Sequence, residues 1–104
     1  MNFIEKAEKL LILFTSLRKI MYNDGEKNWI RGIENIIALL TPPDYGGIEN
    51  AEIAIKEVDY TYSSMLRGNG SFSDYFIWRD DFDERVKANE EFDRIKNEIG
   101  DMLY

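Results

Sequence analysis

Histidine and cysteine are both missing from these 104 residues. Their absence removes imidazole acid–base chemistry, Ser-His and Cys-His nucleophilic pairs, thiolate metal sites and disulfides. A chain without disulfides suits a reducing compartment, and the expectation is a cytoplasmic protein. Proline occurs only twice, as Pro42-Pro43. Long apolar runs are absent too. Leu10–Phe14 is strongly apolar, but Glu5, Lys6, Glu8 and Lys9 precede it, and Arg18 and Lys19 follow. A membrane-spanning helix needs about 20 apolar residues. A secretory signal needs a basic start, a longer apolar stretch and a small-residue cleavage site. Neither a leader nor a span is expected.

Basic charge is the last scarcity: 13 Lys and Arg face 20 Asp and Glu, and the excess is lopsided. Residues 1–43 hold five acids and six bases, a net of +1. Residues 44–104 hold fifteen acids and seven bases, a net of −8. A field of that sign speeds association with a basic partner and repels nucleic acid and anionic membranes. The expected partner is therefore a basic protein, with no nucleic acid and no membrane.

The length is that of one domain, 1–104. Such a chain buries roughly 60–70% of its unfolded surface, enough for one core. The pattern predicts an all-α compact bundle of four main helices plus one or more short ones. The first runs from about Asn2 to Tyr22: Asn2 and Glu5 have capping-box spacing, and Phe3, Ala7, Leu10, Phe14, Leu17 and Met21 repeat at helical intervals. Ile4, Leu11, Leu13 and Ile20 widen the stripe and make this helix central. Asn23-Asp24-Gly25 ends it. The second spans about Glu26 to Leu40 on Trp29, Ile33, Ile36, Ile37 and Leu40, with Gly32 placed for a close crossing. Thr41–Gly47, with its paired prolines and glycines, breaks the chain.

The third helix is expected from about Gly47 to Leu66, on Ile48, Ala51, Ile55, Val58, Tyr62 and Met65. Its outer face carries Glu49, Glu52, Lys56, Asp59 and Ser63. Gly68-Asn69-Gly70 stops it, with Gly68 a left-handed cap. Ser71 with Asp74 starts a helical turn in the aromatic stretch Ser71–Arg79. Asp81 with Glu84 starts the last helix, reaching about Met102 on Val86 or Ala88, then Phe92, Ile95, Ile99 and Met102 or Leu103.

Catalytic patterns are thin, and no catalytic residue, metal or cofactor is assigned. Gly68-x-Gly70-Ser71 lacks the lysine and preceding strand of a phosphate loop. Glu98 and Asp101 have the Glu-x-x-Asp spacing of all-α nucleotide pyrophosphohydrolases. Arg94, however, stands where the earlier Glu-Glu-x-x-Glu run, begun by Glu90-Glu91, needs its third glutamate, and the run lies too near in sequence. Solvated acids on an outer helix face are the better reading. Asp80, Asp81, Asp83 and Glu84 sit at a helix start, where acids complement the dipole by about 0.3–1 kcal/mol each. One helix turn cannot use them all, which leaves some for a partner. Glu49, Glu52 and Asp59 form a second acidic face, and Tyr45, Tyr60 and Trp78 fall outside the apolar registers. Tyr and Trp beside carboxylates suit contact with arginine and lysine.

The stretch Gly68-Asn69-Gly70-Ser71-Phe72-Ser73-Asp74, leading into Tyr75-Phe76-Ile77 and a charged helix with Asn89, resembles the Gly-x-Gly-Ser-Phe-x-Asp segment of small bacterial helical proteins. That family is associated with toxin loci and includes immunity proteins of contact-dependent growth inhibition systems. Trp29 and the Tyr45-Gly46-Gly47 entry to the third helix are also similar. The resemblance implies a fold in which Trp29, Gly68, Gly70, Ser71, Phe72 and Asp74 are structural: a helix stop, then a buried aromatic. It implies a function by association: binding one basic toxin domain, a nuclease in many such systems, 1:1, and covering its active site. The toxin-facing residues would be Glu49, Glu52, Asp59, Tyr60, Asp80, Asp81, Asp83 and Glu84. A regulatory or antitoxin-like adaptor for another basic protein is the alternative, and a carboxylate-metal hydrolase the third reading.

Overall fold

The computed structural model describes residues 1–68 and 70–104. Four helices carry the fold among the described residues, with no strand: α1 (Phe3–Asn23), α2 (Ile30–Leu40), α3 (Ala51–Met65) and α4 (Phe82–Leu103). The all-α expectation holds. Asn2 caps α1 by accepting from the Glu5 N–H at 2.8 Å, and the widened stripe makes α1 the element that packs on α2, α3 and α4. Ala7, Leu10, Phe14, Leu17 and Met21 are buried, whereas Phe3 and Ile4 are left exposed at the helix start.

Two helix starts differ from the sequence expectation, each for a local reason. α2 begins at Ile30, not Glu26. The Glu26 carboxylate stays outside and accepts three backbone N–H groups, from Asn28, Trp29 and Ile30, at 2.6–2.8 Å. It satisfies the orphan donors that a first turn would leave. α3 begins at Ala51, not Gly47, because Asn50 caps it by accepting from Ile53 at 3.0 Å. Tyr45–Gly47 form a short 3-10 turn instead, so Ile48 and Glu49 precede the helix. α2 and α3 meet where Gly32 faces Met65: a Cβ on Gly32 would lie 2.9 Å from the Met65 sulfur. The missing side chain sets that approach.

α3 stops at Met65 with Leu66 at its C-cap, so Gly68 lies beyond the cap position assigned to it. Gly68 and Gly70 both take positive φ, +85° and +71°, where an L side chain is strained. Asn69, between them, lies outside the described residues. The chain then folds back on the helix end. Ser71 and Ser73 both donate side-chain hydrogen bonds to the Leu66 carbonyl, at 3.2 and 2.7 Å. The Gly70 N–H donates to Asp74 at 2.7 Å. These bonds hold a 3-10 turn, Phe72–Asp74, that drives Phe72 into the core. Its ring lies 6.1–6.2 Å from those of Trp29, Tyr62, Tyr75 and Phe92. Edge and stacked aromatic pairs of this kind add about 0.5–1.5 kcal/mol each beyond area burial. Phe72 thus joins the Trp29 cap of α2 to α3 and α4 through one side chain.

The helical turn begun at Ser71 ends at Asp74. Tyr75 is extended (φ −75°, ψ 131°), and the chain runs without helix to the Asp81 cap of α4. In this strap Tyr75, Ile77 and Arg79 face inward, while Phe76, Trp78 and Asp80 face out. No residue of α4 before Phe92 is fully buried. Val86, offered by the sequence as a core position, is exposed, and half-buried Ala88 packs against the core in its place. The strap, not a helix, lies against the first turns of α4.

Candidate protein-binding surface

The strap is pinned at both ends of its inward face. Asp24, just past the end of α1, accepts from Arg79 at 2.8 Å and from the Tyr75 hydroxyl. Burial and the bond to the Asp24 carboxylate both push the Tyr75 phenol above its ordinary value of 10.0. Between those anchors Ile77 is buried. Asn89 of α4 binds both of its peptide groups: the Ile77 N–H donates to Asn89 Oδ1 at 2.9 Å, and Asn89 Nδ2 donates to the Ile77 carbonyl at 2.8 Å. One amide side chain thereby stands in for a neighbouring strand.

The outward face carries what the inward face excludes. Phe76, Trp78 and Phe82 are 57%, 58% and 64% exposed. Phe76 and Trp78 pack edge to face at 6.5 Å. The Arg85 guanidinium lies 4.2 Å from the Trp78 ring centre and 5.4 Å from that of Phe82. Arg85 also donates to the Arg79 carbonyl at 3.3 Å. The exposed rings are therefore ordered by their own cation. A groove of about 410 Å³ runs between Phe76 and α4, lined by Arg85, Val86, Asn89, Glu90 and Asp93.

The acids divide by task. Asp81 is the N-cap of α4 and accepts from the Glu84 N–H at 3.0 Å. Asp80 accepts from the Trp78 indole at 3.2 Å and so joins the aromatic cluster. Asp83 and Glu84 lie exposed in the first turn of α4. Among the described residues Asp83, Glu84 and Glu90 have no ion-pair partner. Most cations of the same stretch are engaged internally. Arg79 pairs with Asp24, Arg94 with Glu91 and Glu98, and Lys96 with Asp93. The Arg94 bonds lower Glu91 below its ordinary carboxyl value. Among the described residues of the strap and α4, only Lys87 has no such engagement.

The second acidic face is thinner than expected. Glu49 and Glu52 rim a groove of about 360 Å³ over Phe3, Ile4, Tyr45 and Ala51. Glu52 pairs with Lys56 at 3.7 Å. Asp59, half-buried, accepts from Ser63 at 3.0 Å, and the Ser63 hydroxyl meets that of Tyr104 at the end of α4. Tyr60 points into solvent. The structure thus joins Asp80 to Trp78, next to Asp81, Asp83 and Glu84 at the start of α4, and gathers Glu49 with Glu52. It separates Asp59 into an internal bond.

The sequence pattern assigns no surface role to Phe76, Phe82 or Arg85, which the structure places together at the outward face of the strap. The in–out alternation from Tyr75 to Asp80 was the available signal. The hydrolase reading gains nothing from the arrangement. Among the described residues no three acidic side chains converge on a point that a metal ion could occupy, and Arg94 takes up Glu91 and Glu98. Among the described residues no helix is long and apolar enough to cross a membrane. No family model matches the chain, and neither a curated protein nor a solved structure shows significant similarity to it.

Proposed function

We propose that this chain is an immunity protein that binds a cognate basic toxin domain 1:1, in the cytoplasm, and covers its active site. The observation that carries the reading is the sorting of charge around the strap. Among the described residues every cation there except Lys87 is engaged inside the molecule, while Asp80, Asp83, Glu84 and Glu90 lie beside exposed Phe76, Trp78 and Phe82 along the strap and the start of α4. Such a surface offers carboxylates to arginine and lysine, and ring faces to their guanidinium or ammonium groups. Exposed aromatics with a polar rim are also the composition that distinguishes the core of a protein interface. The net of −8 over residues 44–104 adds long-range attraction. The substrate cleft of a nuclease toxin has the opposite sign, which makes it the fitting partner. The Gly68–Asp74 resemblance points to the same class of protein. Ser71, Phe72, Ser73 and Asp74 of that segment hold the turn and plug the core, which leaves the strap beside them for binding in this reading.

The test is direct inhibition. The purified chain is titrated against the toxin domain encoded next to it, with toxin activity as the readout. Activity should fall linearly to zero at one equivalent. Full activity at excess inhibitor would remove the immunity reading and leave the adaptor reading.

A further inference from the structure

Arg85 is a cation that charge alone does not explain. It is the fourth residue of α4, near the end where the helix dipole favours anions. Asp80, Asp81, Asp83 and Glu84 stand just before it in sequence, yet among the described residues it forms no ion pair with any of them. Its guanidinium goes to rings instead, 4.2 Å from the centre of Trp78 and 5.4 Å from that of Phe82. Its hydrogen bond, at 3.3 Å, goes to the Arg79 carbonyl. Trp78 and Phe82 are exposed, so core packing does not hold them. Phe76 leans edge to face on Trp78, and Asp80 accepts from the same indole. One side chain of α4 thus ties together the strap backbone, a strap ring and the first ring of the helix.

We infer that Arg85 is a positioning residue for the toxin partner: it sets Trp78, and through Trp78 the neighbouring Phe76 and Asp80, in one arrangement before binding. The inference deepens the proposed function and rests on it for the partner's identity. Exposed rings that turn freely must be ordered when a partner docks, and ordering them beforehand lowers that cost. Charge alone gives the opposite expectation. Removing a cation from an acidic face strengthens its attraction for a basic partner. Loss of Arg85 makes the surface more acidic and less ordered at once, so the sign of its effect on binding tells which of the two governs. Lys87, two residues on, is the matched control. Among the described residues it engages neither a carboxylate nor a ring.

Two substitutions that remove the same charge decide between them. Arg85→Met keeps an unbranched, helix-forming side chain, and the main-chain bond from the Arg85 N–H to the Asp81 carbonyl survives it. Lys87→Met removes a cation without freeing a ring. In the free chain, NMR relaxation of the Trp78 indole N–H should show added fast motion in Arg85→Met and none in Lys87→Met. The Trp29 indole, packed against Phe72, should stay as it is in both. An indole as rigid in Arg85→Met as in wild type would overturn the inference. The complex of Arg85→Met with the neighbouring toxin domain should dissociate about tenfold faster than that of wild type. The Lys87→Met complex should dissociate no faster than wild type. Arg85→Lys, whose ammonium still reaches the ring faces without the planar fork, should recover part of the loss. Equal or slower dissociation of Arg85→Met, with wild type inhibiting the toxin, refutes the positioning role and leaves the immunity reading standing. Failure of wild type to inhibit, with the Trp78 indole loosened by Arg85→Met alone, refutes the immunity reading and upholds Arg85 as the residue that orders this surface.

Discussion

Asn89 holds both peptide groups of Ile77, at 2.9 and 2.8 Å, and so fixes the strap against α4. A third bond, from Asn89 Nδ2 to the Arg85 carbonyl at 2.9 Å, locks the side chain to its own helix. Asn89→Leu leaves the Ile77 N–H and C=O without those partners. The expected cost is about 1–3 kcal/mol, the penalty of an unsatisfied buried polar group. Urea unfolding measures it, and amide exchange at Ile77 should accelerate in parallel. An unchanged unfolding midpoint would show that the strap is held by its Asp24 anchors alone.

Phe72 is the plug between the helices. Phe72→Ala should destabilise the fold by about 3–5 kcal/mol, through lost burial and the cavity left among Trp29, Tyr62, Tyr75 and Phe92. Thermal or urea unfolding reads this directly. A loss under about 1 kcal/mol would mean that the surrounding rings collapse to fill the space.

Gly32 and Met65 offer a size-swap test. Gly32→Leu places a branched side chain where even a Cβ lies 2.9 Å from the Met65 sulfur, and overpacking of this kind costs about 1–3 kcal/mol. Met65→Ala in the same chain should recover part of that loss, because it opens the space the leucine needs. Destabilisations that simply add would show that the two residues do not share the crossing.

Tyr75 and Tyr62 set the alkaline limit. Burial raises both phenols above the ordinary value of 10.0, and the bond to Asp24 raises Tyr75 further. The folded state therefore keeps both protons at pH values where the unfolded chain has released them. Their contribution is complete below pH about 10 and is lost as pH rises toward the folded values. Stability measured from pH 8 upward should be flat and then fall above about pH 10. Tyr75→Phe should lower stability at pH 8, through the lost Asp24 bond, and make the alkaline decline shallower. An identical decline in the variant would assign the limit to Tyr62.

Much of the bundle was legible from periodicity, and the departures have local physical causes. The α1 stripe from Ala7 to Met21 and the Asn2 cap are local signals, and both appear as read. The start of α2 was misplaced because Glu26 caps from outside the helix, reaching donors up to four residues ahead. In composition a capping glutamate is indistinguishable from a first-turn glutamate. The start of α3 moved because Asn50 outcompeted the glycine pair, whose backbone takes positive φ. The strap was hidden by its brevity. Its alternation spans Tyr75 to Asp80, and its hydrogen-bonding partner, Asn89, lies twelve residues away on a helix. Asp59 looked like a free surface acid because its use depends on Ser63 and, through Ser63, on the far end of α4.

The account's central claim is that a basic toxin domain is neutralised at the strap, and paired charge reversals in living cells test it most directly. Cells carrying the neighbouring toxin domain are supplied with the wild-type chain, with Asp80→Lys plus Asp83→Lys, or with Glu49→Lys plus Glu52→Lys. Asp81 is left intact because it caps α4. Wild type should protect, the Asp80 and Asp83 pair should lose protection while keeping the helical spectrum, and the Glu49 and Glu52 pair should protect nearly as well as wild type. Full protection by the Asp80 and Asp83 pair, or its loss in the Glu49 and Glu52 pair alone, would contradict the account and move the binding face to the groove over Phe3, Ile4 and Tyr45.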